Sequence, residues 1–160
     1  MKTGFIGAGK VGFSLGRLFA ENGIPLTGYY SRQRESAEEA ANFTGTHAYS
    51  DLCELVQDSD AIFLTVPDRT ITSVYLELRS FSLSGKQICH CSGALSAREA
   101  FPGLAETGAL GLSIHPLFPS AADTTRIGNL RMLFSVLRAT SRPYPHGNRF
   151  WSAAAARCRR

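Results

Sequence analysis

Cysteine is scarce in this sequence, with four residues among 160. Their spacing is irregular, which excludes the disulfide framework that holds many small secreted domains together. No apolar run approaches the roughly 18 residues of a membrane-spanning helix, and no charged region followed by a cleavable apolar stretch opens the chain. We therefore expect a cytoplasmic protein that does not span a membrane.

Acidic residues are absent from the C-terminal part of the chain, and lysine is absent after Lys86. Residues 126–160 contain eight arginines and no aspartate or glutamate, whereas residues 1–125 carry nine basic and 13 acidic side chains. The sequence pI of about 9.1 therefore reflects the terminal segment. This uneven distribution disfavours a nucleic-acid-binding face on the folded domain.

An arginine-rich segment without clear periodicity is typical of a reading frame that was never selected to fold. We expect residues 139–160 to form an irregular tail, and a truncated or frameshifted gene product is the first explanation for it. The second explanation is a basic tail that binds nucleic acid. Only Tyr144, Phe150 and Trp151 are available there to stack on bases, which weakens that explanation.

Short apolar runs alternate with segments of helical periodicity along the rest of the chain. This order predicts an α/β fold in which a mostly parallel sheet is covered by helices. Right-handed crossovers favour a doubly wound sheet with strand order 3-2-1-4-5-6. The predicted strands are Thr3–Ile6, Ile24–Tyr30, Thr46–Tyr49, Asp60–Val66, Lys86–Cys91 and Ala109–Ile114, the last ended by Pro116.

The helices follow from periodicity and from capping residues. We predict one helix containing Val11–Phe19, one over Arg34–Asn42, one capped by Ser50 that ends near Gln57, one over Thr70–Arg79, and a short one that starts at Ala97 behind a Ser96–Glu99 capping box and is interrupted by Pro102. Residues 1–119 should form this domain, and residues 120–138 a connection or one further strand.

A glycine-rich motif links the first predicted strand to the first predicted helix. Its residues are Gly7, Ala8, Gly9, Lys10, Val11 and Gly12. In this context the first glycine permits a tight turn, the second lets the backbone approach a pyrophosphate, and the third lets helix and strand pack closely. The helix N-terminus would offer N–H groups to the phosphates. The motif predicts a dinucleotide-binding site, and a turn that serves only packing is the alternative.

The end of the second predicted strand indicates which dinucleotide is bound. NAD-binding folds place an acidic residue about 20 residues past the first glycine, but this chain has Ser31 and Arg32 there. A hydroxyl and a guanidinium suit a 2′-phosphate, with Arg34 close by. We therefore predict NADP(H) as the cofactor. The alternative is a solvated arginine at the start of a glutamate-rich helix.

These motifs resemble a known group of proteins. Residues 1–116 are similar to the N-terminal Rossmann domain shared by pyrroline-5-carboxylate reductases, deazaflavin-dependent NADP reductases and β-hydroxyacid dehydrogenases. The matching stretches are Gly4–Gly9, Tyr30–Arg32 and Asp60–Asp68. Cys89–Ser96 and Ser113–Leu117 resemble more closely a branch of Rossmann-like NADP-binding proteins that continue into a helical domain of unknown function, which usually dimerises. Residues 118–160 carry no pattern of such a domain, and a homodimer is expected only of the full-length family form.

The resemblance implies roles for a few residues. Thr65, Val66 and Pro67 match a loop that borders the ribose and nicotinamide in similar enzymes, and they complete the predicted cofactor site. Ser92, at the end of strand five, would face the same crevice. His115, at the end of strand six, is a candidate proton donor, although a structural role for it is equally open.

No metal site is predicted. Cys89 and Cys91 would lie on one face of a strand and His90 on the other, which is poor geometry for chelation. We expect buried thiols and a buried, structural His90.

Two functional hypotheses follow from the sequence. The first is the NADP(H)-binding domain of an oxidoreductase that transfers hydride to or from a small-molecule substrate. The second is a nucleotide-binding module or truncated remnant without turnover, which the absent substrate domain favours. The fold alone does not decide between them.

Overall fold

The computed structural model describes residues 1–117 and 133–138. Seven strands form one sheet in the order β3-β2-β1-β4-β5-β6-β7. β1 to β6 are parallel, and β7 pairs antiparallel with β6. The predicted order 3-2-1-4-5-6 is therefore confirmed. The strands are β1 (Thr3–Ile6), β2 (Leu26–Tyr30), β3 (His47–Tyr49), β4 (Ala61–Leu64), β5 (Gln87–His90), β6 (Leu110–Leu117) and β7 (Leu133–Arg138).

Helices cover both faces of this sheet. They are α1 (Lys10–Glu21), α2 (Arg34–Thr44), α3 (Leu52–Asp58), α4 (Asp68–Leu78) and α5 (Ala97–Ala100), followed by a short 3₁₀ helix (Leu104–Thr107). Within the described residues, no helix is both long and apolar enough to cross a bilayer. The predicted irregular tail, residues 139–160, lies outside the described part of the chain.

Alternating strand residues divide the core into two layers. Ile6, Ile62 and Ile88 contribute to the layer that includes side chains of α3, α4 and α5. Phe5, Phe63 and Cys89, their sequence neighbours, contribute to the layer that includes side chains of α1 and α2. Strands buried on both faces explain why β1 and β4 are almost wholly apolar in sequence.

Two of the predicted boundaries are wrong for identifiable reasons. The N-cap of α3 is Asp51, not Ser50: its carboxylate accepts a hydrogen bond from the Cys53 amide at 2.8 Å. Pro116 does not end β6, which continues to Leu117. The Leu110 amide points toward β5, so by strand alternation the Pro116 nitrogen faces the same side. There β5 has already ended, and the missing N–H therefore interrupts no pairing.

The predicted capping box at α5 is confirmed. The Ser96 hydroxyl accepts from the Glu99 amide at 3.3 Å, and the Glu99 carboxylate accepts from the Ser96 amide at 2.8 Å. The reciprocal bonds allow a helix of four residues to begin directly after the loop that follows β5.

A glycine in α1 sets how closely the helix approaches β2. A Cβ on Gly16 would overlap the hydroxyl oxygen of Tyr29, a fully buried side chain. Gly16→Ala should therefore destabilise the fold by about 1–3 kcal/mol, measured by urea unfolding. Tyr29→Phe removes the overlapping oxygen. Adding Gly16→Ala to the Tyr29→Phe protein should therefore cost less stability than adding it to the wild type. An unfolding midpoint for Gly16→Ala equal to that of the wild type would contradict this packing.

Candidate functional site

A cavity of about 670 Å³ opens beside the carboxyl ends of β1, β2 and β4. Here the chain order reverses, because β2 and β3 lie on one side of β1 and β4 lies on the other. Open α/β sheets bind their ligands at this kind of switch point. The lining residues are Ile6, Gly7, Ala8, Gly9, Tyr30, Ser31, Arg32, Gln33, Leu52, Thr65, Val66, Pro67, Thr70, Ser73, Val74 and Glu77.

The glycine loop after β1 is held by backbone contacts. Gly7 has φ of 100°, a conformation that favours glycine, and its amide donates to the Tyr30 carbonyl at 2.8 Å. The Thr65 hydroxyl donates to the Gly7 carbonyl at 2.6 Å. A Cβ on Gly12 would overlap that same carbonyl. Gly12 therefore serves the close packing of α1 on this loop, and it does not line the cavity.

The N-terminus of α1 is left open by this loop. Gly9 is the N-cap, no side chain caps the helix, and its first turn contains no acidic residue. A Cβ built on Gly9 would meet no atom within 4 Å. The open helix end and the space at Gly9 fit a pyrophosphate. Lys10, which is exposed, and Val11, which is half-buried, belong to α1 and lie outside the cavity lining.

Ser31 and Arg32 lie at the end of β2 and line the cavity. The Ser31 oxygen accepts from the Gln33 amide at 3.3 Å, so its proton remains available for donation. The exposed Arg32 has no ion pair within the described residues. Arg34 differs, because its Nε donates to Glu38 at 2.7 Å and it does not line the cavity. The structure therefore places Ser31 and Arg32 at the cavity, but not Arg34.

Several lining residues were not predicted from the sequence. The largest group comes from one face of α4, at positions 70, 73, 74 and 77. Their i, i+3, i+4, i+7 spacing marks them as one helix face, but that spacing is equally typical of a face buried in the core. Leu52 and Gln33 carried no sequence signal at all.

The residues predicted for the substrate side lie outside the cavity. Ser92 and Gly93 follow β5, and His115 lies within β6, where it pairs with Ser135 of β7. Gly93 packs directly on the imidazole of His115, since a Cβ there would come within 2.7 Å of Cε1. The Nδ1 atom of His115 is buried and has no hydrogen-bond partner in the described part of the chain. Ser92 is also buried, and its oxygen accepts from the Ala94 amide at 3.1 Å. The structure thus brings the Ser92–Gly93 turn and His115 together.

His90 is fully buried, as expected of a core residue. Its Nδ1 accepts from the Ser92 amide at 3.2 Å, which places the proton of the neutral ring on Nε2. Nε2 has no partner. Burial lowers the pKa of His90 below its ordinary value, although Asp68 acts in the opposite direction. A neutral His90 therefore anchors the turn that follows β5.

The neighbouring thiols are poorly suited to nucleophilic chemistry. Cys89 is fully buried, and burial raises its pKa. Burial also raises the pKa of Cys91 to about 12. Both remain protonated near neutral pH, and within the described residues no group of three His, Cys, Asp or Glu side chains could hold a metal ion.

Comparison with known proteins agrees with this geometry. Residues 2–92, more than half of the chain, match the family described as NADP oxidoreductase, coenzyme F420-dependent. The chain belongs to this family. It is an NAD(P)-binding oxidoreductase domain, and the predicted cofactor, NADP, is confirmed by the description of the family. No curated protein matches the chain.

Solved structures show the same fold at low sequence identity. A semialdehyde dehydrogenase NAD-binding protein from Cupriavidus necator, in complex with calcium and NAD, gives a TM-score of 0.72 at 16% identity over 98% of this chain and 59% of that chain. A reductive aminase from Aspergillus terreus, in complex with NADPH and ethyl-5-oxohexanoate, gives 0.68 at 17% over 98% and 52%. An imine reductase from Bacillus cereus gives 0.63 at 24% over 74% and 41%. This chain spans about half the length of these proteins.

Two glycines of the motif should respond differently to the same substitution. Gly9→Val fills the open space at the N-terminus of α1, so it should abolish binding of NADPH and NADH while leaving the thermal unfolding midpoint nearly unchanged. Gly12→Val overlaps the Gly7 carbonyl and should lower that midpoint. Calorimetric titration and thermal unfolding of both variants measure the two effects. Normal nucleotide binding by Gly9→Val would mean that the loop is only a packing turn.

Proposed function

We propose that this domain binds NADPH in the cavity at the switch point and presents the nicotinamide to a small-molecule substrate. One observation supports this proposal most directly: the same cavity combines an open helix N-terminus at Gly9 with the guanidinium of Arg32, which has no ion pair among residues 1–117 and 133–138. In this proposal the loop Gly7–Gly12 binds the pyrophosphate. Ser31 and Arg32 bind the 2′-phosphate, Ser31 through its free proton and Arg32 through paired charge-assisted hydrogen bonds.

The loop after β4 completes the proposed cofactor site. Thr65 has little freedom to bind a ligand through its hydroxyl, because that group donates to the Gly7 carbonyl. Thr65 would therefore fix the loop, while Val66 and Pro67 would border the ribose and the nicotinamide. The bound cofactor supplies the hydride, and these residues supply its position.

On the substrate side, His115 is the residue we propose as proton donor. Its ring is held against Gly93, which fixes its position relative to the turn after β5. Ser92 would shape the same region through its turn with Ala94. Positioned histidines contribute roughly 10²–10⁴-fold to proton-transfer rates.

We also propose a cellular compartment and partners for the protein. Cys53, Cys89 and Cys91 are free thiols, which supports a reducing compartment such as the cytoplasm. The partners we propose are a small-molecule substrate and, for the full-length family form, a second copy of the chain.

The cofactor preference can be tested at Arg32. Arg32→Ala should weaken NADPH binding by ~1.5–3 kcal/mol, the scale of a hydrogen bond to a charged group, and leave NADH binding nearly unchanged. Arg34→Ala is the matched control: its guanidinium pairs with Glu38 outside the cavity, so both nucleotides should bind as in the wild type. Fluorescence or calorimetric titration measures the affinities. An equal loss of both nucleotides in Arg32→Ala would contradict the assignment of the 2′-phosphate.

The oxidoreductase activity can be tested by following NADPH consumption with small imines and keto acids. Turnover should appear with at least one of these classes, and His115→Asn should reduce it by about 10²-fold or more without changing NADPH affinity. NADPH binding without turnover on any substrate would favour the nucleotide-binding module instead. A His115→Asn protein that loses stability but keeps its turnover would assign the histidine a structural role.

A further inference from the structure

One face of α4 lines the cavity, and its polar side chains are all hydrogen-bond acceptors toward a ligand. Thr70, Ser73 and Glu77 are the polar residues of this face, and Val74 lies among them. We name Thr70, Ser73 and Glu77 the α4 wall. None of them belongs to the glycine motif or to the Ser31–Arg32 pair.

The two hydroxyls of the α4 wall have already donated their protons. Thr70 Oγ1 donates to the Pro67 carbonyl at 2.8 Å, and Ser73 Oγ donates to the Thr70 carbonyl at 2.9 Å. A hydroxyl has one proton, so each oxygen can only accept a further hydrogen bond.

Glu77 adds a third acceptor. It is exposed at the cavity rim, and its carboxylate has no hydrogen bond or ion pair within the part of the chain that the structure describes. The nearby Arg79 pairs instead with Glu106 at 3.1 Å. An ionised carboxylate accepts and does not donate. The α4 wall therefore offers acceptors alone and should favour a ligand group that donates.

The remaining lining indicates what kind of group lies against this wall. Leu52 and Val74 give the same cavity apolar surface, which suits a flat aromatic base. In the proposed site the pyrophosphate lies at Gly9, the nicotinamide lies against Val66 and Pro67, and the 2′-phosphate lies at Arg32. The 2′-phosphate is attached to the ribose that carries the adenine, so adenine is the base expected near Arg32 and against the α4 wall. Among purines, adenine carries an exocyclic amino group, a donor, where hypoxanthine and guanine carry an oxygen, an acceptor.

We propose that the α4 wall, chiefly Glu77, recognises the exocyclic amino group of the adenine base and makes the site selective for adenine dinucleotides over their 6-oxopurine counterparts. This inference rests on the proposed binding of NADPH in the cavity. Glu77 acts here as a specificity-determining residue, and no part of its role concerns the hydride transfer.

The test compares NADPH with the reduced nicotinamide hypoxanthine dinucleotide phosphate by calorimetric titration. The wild-type protein should bind the hypoxanthine compound ~5–20-fold more weakly, because its oxygen would face three acceptors. The readout is the ratio of the two affinities, since both ligands carry the same charge and a general electrostatic change cancels in the ratio.

Three variants make the test specific. Glu77→Gln places an amide there that can donate to the oxygen, so the ratio should fall to within about 2-fold of one. Glu77→Ala removes the acceptor and should also lower the ratio, with weaker binding of NADPH relative to Glu77→Gln. Glu39→Gln neutralises an exposed carboxylate on α2 outside the cavity and should leave the ratio at its wild-type value.

The outcomes separate this inference from the function on which it rests. Tight NADPH binding with a ratio near one in the wild type, or a ratio unchanged by Glu77→Gln, overturns the role of the α4 wall and leaves the proposed cofactor site standing. Failure of the wild-type protein to bind either dinucleotide overturns both. Because Glu77 is exposed, its variants should keep the wild-type unfolding midpoint, and that measurement accompanies each titration.

Discussion

The contact between the start of α1 and the loop after β1 is the constraint on which the site depends. Gly12 lies so close to the Gly7 carbonyl that a Cβ would overlap it, and Thr65 donates to that carbonyl from the end of β4. The Gly7 carbonyl thus contacts both the start of α1 and the residue that follows β4. The N-terminus of α1 is held at the carboxyl end of β1 without a side-chain cap, and the space beside Gly9 stays open.

The charges around the cavity are complementary to a phosphorylated dinucleotide. Among the residues that the structure describes, Arg32 at the cavity has no ion pair, whereas Arg34 and Arg79 pair with Glu38 and Glu106. A free guanidinium gains more from a phosphate than one that must first give up a carboxylate. The acceptors of α4 lie in the same cavity, where they suit the amino group of a base rather than another phosphate.

A second polar region, formed by the turn after β5 and His115, is positioned by packing. His90 fixes the Ser92 amide from within the core, and Gly93 leaves room for the His115 ring. The carboxyl end of the sheet holds the cavity and also, after β5 and in the last part of β6, a turn and a histidine in direct contact.

Local pattern was enough to predict the strand order, the glycine loop and the Ser31–Arg32 pair, because backbone sterics and burial period act over a few residues. Local pattern did not predict which side chains pair with one another and which line the cavity. Arg34 was expected close to the 2′-phosphate, but in α2 it pairs with Glu38. The residues of α4 at the cavity were not predicted, because their spacing is equally typical of a face buried in the core. The sequence by itself determined which elements form. The tertiary structure decided which side chains remain unpaired at the carboxyl edge, since that depends on contacts between residues far apart in the chain.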